Sequence, residues 1–284
     1  MNKSKNTVQA MQLPVNQLRP FEGHPFQVKD DAEMEQLVWS ILTQGLLTPI
    51  TVRPLENNEY EVISGHRRLH ACQKAGIETV PALIYALNRD AAAIALVDSN
   101  LHREKILPSE KAFAYKLKMD AMSRQGQRTD LTCGQVGHKS RDSISDSESG
   151  RTIQRYIRLT YLQKPILDLV DAGRIAFSPA VELSYLTKLE QAELWDIMQS
   201  EDCTPSLSQA VRMKKLSKIA QLTPEIIFDI MSEEKANQKE RVRIDVSQLR
   251  KFFPQSYTTA QMEKSILRML EEQHKKKQRS IEIR

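Results

Sequence analysis

Two adjacent arginines, Arg67 and Arg68, follow Ser64-Gly65-His66, between an apolar run ending at Ile63 and a helical pattern carrying Leu69, Cys72 and Ala75. A strand, a glycine turn and a helix start in that order leave unpaired backbone N–H groups at the head of the helix. The helix dipole favours an anion there, and glycine lets it come close. Two forked guanidinium groups beside such N–H groups suit phosphate oxygens. The alternative is a pair of surface arginines bound to carboxylates such as Glu61 or Glu78.

A second constellation puts Asn100 and Arg103 at the end of an alanine-rich helix, just before Pro108-Ser109 opens the next one. Asn100 offers an oxygen to a metal ion or an amide to a phosphate, and Arg103 supplies charge. A helix C-cap with a surface ion pair explains the same residues. The third constellation is Arg151, Thr152, Gln154, Arg155 and Arg158. At about 100° per residue the three arginines share one side of a helix, with Ile153, Tyr156, Ile157 and Thr160 on the other. Arg151, Arg155, Arg158 and Lys164 are joined by no acidic residue. A helix that packs on one face and meets phosphates and base edges with the other needs this division.

The elements that must hold these residues follow from periodicity. Residues 13–18 read as a short strand and 31–44 as a helix ended by Gly45; 50–53 and 59–63 read as strands, 66–74 as a helix closing at Gly76, 80–86 as a strand and 91–97 as a helix. Alternating strands and helices make a small mixed α/β domain. From Pro108 onward helical patterns take over, at residues 112–122, 152–161, 166–172 and 179–186. Residues 123–150, rich in Ser, Asp, Gly, Arg and Lys, read as a long loop or weak helices. Helix-like stretches at 224–239 and 259–277 flank a strand-like or turning piece at 242–253. The expected organisation is three units, 1–106, 107–222 and 223–284, in an α+β chain. Its last residues are basic, which suits a solvated helix end, a DNA contact or a dimer pairing.

Composition narrows the partners. The chain has 284 residues, of which 40% are hydrophobic and 27% charged, proportions that exclude a fibrous or wholly disordered protein. A formal charge of +5 permits polyanion partners, and where that charge lies matters more than its total. Cys72, Cys133 and Cys203 have neither zinc-site spacing nor a disulfide framework, which fits a reducing cytosol. No apolar run approaches the roughly 18 residues of a membrane span, and the first ten residues lack a signal peptide's apolar core. A cytoplasmic protein is expected.

Taken in order, the three constellations resemble the ParB family of partition proteins, whose N-terminal domain is sulfiredoxin-like and is followed by a helix-turn-helix domain. The family's Gly-Glu-Arg-Arg turn is matched by Gly65, Arg67 and Arg68, with His66 in the glutamate position. Its Glu-Asn-x-x-Arg motif is matched by Asn100 and Arg103, with Ser99 replacing the glutamate. The run from Gly45 through Thr48, Pro49, Ile50 and Val52 to Arg53 is similar to the segment beside the nucleotide base and sugar. Ser109-Glu110-Lys111-Ala112 and residues 151–162 align with the following helix and the DNA-binding helix.

The resemblance implies a cytoplasmic, nucleoid-associated homodimeric clamp that binds a centromere-like site on double-stranded DNA, takes up CTP with Mg2+, closes and slides. A ParA-like ATPase is a further implied partner. By position, Gly65, His66, Arg67, Arg68 and Arg103 would hold the nucleotide, Gly45, Thr48, Pro49, Ile50 and Val52 would face the cytidine, and Asn100 would place magnesium. Arg151, Thr152, Gln154, Arg155 and Arg158 would meet DNA, and residues 259–277 would dimerise. Ser99 cannot act as a carboxylate does, which implies weak or absent CTP hydrolysis, and Asp98 points about 100° away. Residues 137–150 are short and polar for the first helix of a helix-turn-helix. Two other readings remain: a transcription regulator without nucleotide switching, and a superfamily enzyme. The enzyme would need a cysteine beside Gly65, where Ser64 and His66 stand instead.

Overall fold

The computed structural model describes residues 8–103, 106–129, 148–233, 246–254 and 256–282. They belong to two compact units, Met1–Glu233 and Glu234–Arg284.

The first unit opens with a five-stranded mixed sheet in the order β1-β5-β3-β4-β2. Its strands are β1 (Gln9–Pro14), β2 (Leu18–Pro20), β3 (Ile50–Pro54), β4 (Tyr60–Ser64) and β5 (Thr79–Ile84). Between them run α1 (Ala32–Gln44) and α2 (His66–Lys74), and α3 (Arg89–Leu101) follows β5. Side chains alternate across a strand, so adjacent residues serve different cores. Val62 packs with Ile50, Val52, Met34, Ile41 and Leu69, whereas its neighbour Ile63 packs with Phe21, Phe26, Leu96 and Ala114.

Where one strand is expected at residues 13–18, the chain makes two. β1 begins at Gln9 and pairs antiparallel with β5, a 3-10 turn at Val15–Gln17 intervenes, and β2 pairs parallel with β4. The chain thus crosses from one sheet edge to the other. The first four residues of β1 are all exposed, so hydrophobic periodicity carries no trace of them.

α4 (Pro108–Thr129) joins sheet and helices, with Ala114 and Ala121 in the core beside α3, Ala112 in the helical core and Tyr115 against Ile153. It is tied to α3 by ion pairs from Arg124 to the buried Asp90 at 2.8 Å and from Lys118 to Asp98 at 2.5 Å. α4 also continues through residues expected to begin a loop. The sequence is polar there, so composition suggests a loop while backbone continuity with a well-packed helix wins. Most of that expected loop, residues 130–147, lies outside the described residues.

The helical part comprises α5 (Gly150–Leu159), α6 (Lys164–Asp171), α7 (Phe177–Leu183), α8 (Lys188–Ser200), α9 (Leu207–Lys218) and α10 (Pro224–Ser232). Leu159, Ile166, Leu183, Leu194, Met213 and Ile227 share one core. The sequence reading does not single out α8 and α9, although each starts with a capping box, Thr187 with Glu190 and Ser206 with Gln209. α10 packs its Ile227, Ile230 and Met231 into this core, so the division falls after Glu233 rather than at residue 223.

In the second unit, α11 (Val246–Leu249) is helical where a strand or turn is expected, and α12 (Thr259–Glu282) follows. Residues 234–245, which include parts of both expected elements, lie outside the described residues. Among the described residues no helix is long and apolar enough to cross a membrane.

Candidate functional site

Gly65 sits between β4 and α2 with φ at +102°, a left-handed conformation that glycine adopts without strain. A Cβ here would lie 3.1 Å from Nη2 of Arg68. As N-cap, Gly65 has no side chain to satisfy the first N–H groups of α2. The turn therefore presents backbone donors beside two guanidinium groups.

Those groups diverge. Arg68 folds back, its Nη1 donating to the carbonyls of Thr48 at 2.5 Å and Pro49 at 2.7 Å, and burial draws its pKa down. Arg67 faces the start of α1, where its Nη2 lies 3.3 Å from Asp31 Oδ1 and 3.5 Å from Glu33 Oε2. The carboxylates suggested by sequence, Glu61 and Glu78, are not its partners: Glu61 is bound to Arg53 at 2.6 Å. The segment before β3 thus meets α2 through its backbone. Gly45, with φ at +73°, ends α1, Thr48 and Pro49 offer carbonyls, and the Ile50 and Val52 side chains are buried in the sheet core.

His66, the first residue of α2, is held neutral from both sides. Its ring donates to the Val62 carbonyl, and its Nε2 accepts the Phe21 N–H at 3.4 Å. Burial, with the charges of His24 and Arg103, lowers its pKa to about 3. The His24 ring lies against it with centroids 3.8 Å apart. Phe26 meets the edge of His24, and Arg103 lies 5.5 Å from the Phe26 ring centroid. Arg103 loses basicity mainly through burial, and Arg67 is near enough for its charge to add to that effect. Arg67, His66, His24 and Arg103 therefore form one neighbourhood, in which the two arginines carry the positive charge and burial disfavours charge on the two imidazoles.

Asn100 is buried near the end of α3 and donates its amide to the Leu96 carbonyl at 2.8 Å. That bond turns the side-chain nitrogen inward, which leaves the oxygen as the atom suited to a cation. Ser99 donates its hydroxyl to the same carbonyl at 2.9 Å. Among the described residues no group of three or more His, Cys, Asp or Glu could hold a metal. The chemistry present fits magnesium only in the form that takes one or two protein oxygens, with phosphate and water completing the shell.

α5 carries the other set. Ser149 caps it by accepting the Thr152 N–H, and Ile153, Ile157 and Leu159 are buried behind. The arginines in front differ from one another. Arg151 is exposed, Arg155 donates to Ser178 Oγ at 2.8 Å and covers Phe177, and Arg158 is bound to Ser184 and lies between Tyr161 and Tyr185. Gln154 reaches back to Met119 at 3.4 Å. The stripe expected from periodicity exists as a helix face, but two of its three arginines also brace α5 against α7 and its C-terminal end.

Residues 1–101 match the ParB N-terminal domain family.

Among relatives, a nucleoid occlusion protein of Bacillus mycoides is 29% identical over 209 residues, which span 73% of this chain and 70% of the relative. That of Bacillus thuringiensis aligns with the same identity and coverage. A truncated Caulobacter crescentus ParB complexed to the centromeric parS site is 20% identical and covers 74% of this chain and 99% of that one, with a TM-score of 0.42. The same protein complexed with CTP-gamma-S is 23% identical and covers 66% and 97%, with a TM-score of 0.32.

The chain brings Gly65, His66, Arg67, Arg68, Thr48 and Pro49 together at one turn, with Arg103 facing them across His24 and Phe26. Its α5 residues lie elsewhere, in the helical part. Sequence reasoning missed His24, Phe26, Asp31 and Glu33. Asp31 has a readable signal, since it opens α1 as an N-cap that accepts the Met34 N–H. His24 has none, because nothing local ties it to a residue 42 positions away.

Proposed function

We propose that this chain is a DNA-binding partition or nucleoid-occlusion protein whose N-terminal domain binds CTP. The observation that carries the nucleotide reading is the α2 turn: Gly65 at φ +102° opens a helix end with no side-chain cap, flanked by Arg67 and Arg68. Backbone donors, a helix dipole and guanidinium groups at one point make a polyphosphate cradle. CTP is the nucleotide that the family resemblance implies. The Thr48 and Pro49 segment borders the same turn, with its carbonyls bound to Arg68, and would face the base and sugar.

Magnesium would be held by the phosphates, water and the Asn100 oxygen, and it would neutralise phosphate charge. Ser99, with its hydroxyl bound to Leu96, offers no carboxylate to activate water. CTP binding with little turnover follows. The sheet domain, through about residue 106, is the nucleotide unit, and the helices up to residue 233 form the DNA unit. In that unit Arg151, Thr152 and Gln154 line the front of α5, while Arg155 and Arg158 hold it in position and add positive charge. Of residues 137–150, where the first helix of a helix-turn-helix is expected, 137–147 lie outside the described residues. The relatives named nucleoid occlusion proteins support a role on the nucleoid.

Self-association is assigned to α12, where Leu267, Met269 and Leu270 are each more than half exposed, at 56%, 51% and 60%. A helix with so apolar a surface is suited to pairing with a second copy. A ParA-like ATPase remains an implied partner of the assembly.

Calorimetry of CTP with magnesium, on wild type and on Arg67→Ala, tests the nucleotide reading. Loss of a charge-assisted contact of about 1.5–3 kcal/mol would weaken binding roughly tenfold to more than a hundredfold. Unchanged affinity would refute the phosphate assignment and favour a regulator without a nucleotide switch.

A further inference from the structure

His24 and His66 touch, yet their hydrogen bonding differs. Both nitrogens of His66 are committed, one donating to Val62 and the other accepting from Phe21. His24 donates to the Phe26 backbone, and its Nε2 is buried without a hydrogen-bond partner. Because that donation uses the other ring nitrogen, Nε2 carries a bare lone pair. Buried acceptors are rarely left so.

The charges around His24 come from three elements. His66 contacts it from α2, Arg103 lies beyond Phe26 at the end of α3, and Glu110 approaches from α4. Arg67 lies close enough to Arg103 for the two charges to repel. Glu110 is itself engaged, accepting the Gln27 N–H at 2.8 Å and the Leu107 N–H at 3.1 Å. With no anion at the turn, burial and then the charge of Arg103 disfavour protonation of the imidazole, against the Phe26 backbone hydrogen bond and a smaller pull from Glu110.

We propose that His24 belongs to the anion site, and that its Nε2 takes up a proton when a polyphosphate binds at the α2 turn. This rests on the anion-binding reading above. Three or four negative charges beside Arg67 and Arg103 outweigh the local positive charge, so the field that disfavours a cation at His24 reverses. His66 cannot substitute, because protonating its Nε2 would break the Phe21 bond. The proton comes from solvent, and no covalent bond changes. Binding then strengthens as pH falls, by up to about tenfold per pH unit while one proton is taken up.

The test follows the His24 ring proton by NMR in the full chain, with and without saturating inorganic tripolyphosphate. A titration midpoint that rises by a unit or more supports the proposal, and an unmoved midpoint overturns it. Calorimetry of CTP in two buffers of different ionisation enthalpy gives the proton count. Wild type should take up as much as one proton more than His24→Gln, and equal counts overturn the proposal. If tripolyphosphate shifts His24 but CTP fails to bind, the CTP assignment falls and this inference stands. If neither anion binds, both fall.

Discussion

The Arg158 guanidinium lies 3.8 Å from the centroid of the Tyr185 ring while its Nη2 donates to the Ser184 carbonyl at 2.5 Å. Lys214 covers the same ring at 3.7 Å. A residue that sequence alone assigns to DNA is thus also a brace. Cation–π contact and charged hydrogen bonds together are worth about 1–3 kcal/mol. Arg158→Ala should lower unfolding free energy by about that much in urea titrations. Arg158→Lys should recover little, since an ammonium cannot lie flat between two rings and keep the fork. Wild-type stability in the alanine variant would show that the brace does not matter.

Arg151 should behave in the opposite way. It is exposed in the first turn of α5, so Arg151→Ala should leave urea unfolding unchanged within about 0.5 kcal/mol. DNA affinity should fall, with the slope of log affinity against log salt reduced by about one if Arg151 meets a phosphate. Equal slopes and equal affinities for variant and wild type would remove this arginine from the interface.

Gly65→Ala strains the turn twice. The backbone at φ +102° disfavours any Cβ by roughly 1–2 kcal/mol, and the new methyl would stand 3.1 Å from Nη2 of Arg68. The guanidinium can move aside at the cost of its bonds to Thr48 and Pro49. Thermal unfolding should shift downward, and CTP affinity should fall with it. A variant as stable as wild type would mean that the left-handed turn is not needed.

His66 makes stability depend on acid. Its folded pKa, about 3, lies below the ordinary value of 6.5, so between those limits the unfolded chain binds the proton and the folded chain does not. The contribution is complete above pH 6.5 and declines as pH falls toward 3, by up to about 1.4 kcal/mol per unit. Unfolding free energy measured from pH 7 to pH 4 should therefore fall less steeply in His66→Gln. Parallel curves would show that this imidazole does not control the acid limb.

Much of the sheet domain is legible because its strands are short apolar runs and its helices carry end signals. Asp31 opens α1, Gly45 closes it, and α2 spans the expected residues. β1 escapes because an exposed edge strand has no apolar rhythm, and α4 runs beyond its expected end because packing against α3 overrides a polar composition. The α2 turn can be read from Gly65 and the arginines alone. Its surroundings cannot, since Asp31, Glu33 and His24 arrive from other parts of the fold, and only tertiary structure turns Arg67 and Arg68 apart.

The bonds from Arg68 to the Thr48 and Pro49 carbonyls bear on time as well as affinity. Those carbonyls already occupy Nη1, so an incoming phosphate meets Nε and Nη2 first and gains Nη1 only by displacing them. Association would then proceed in two stages, a rapid encounter governed by Arg67 and the backbone N–H groups, and a slower exchange of acceptors at Arg68. A mixing experiment would resolve these as a concentration-dependent phase followed by one that saturates.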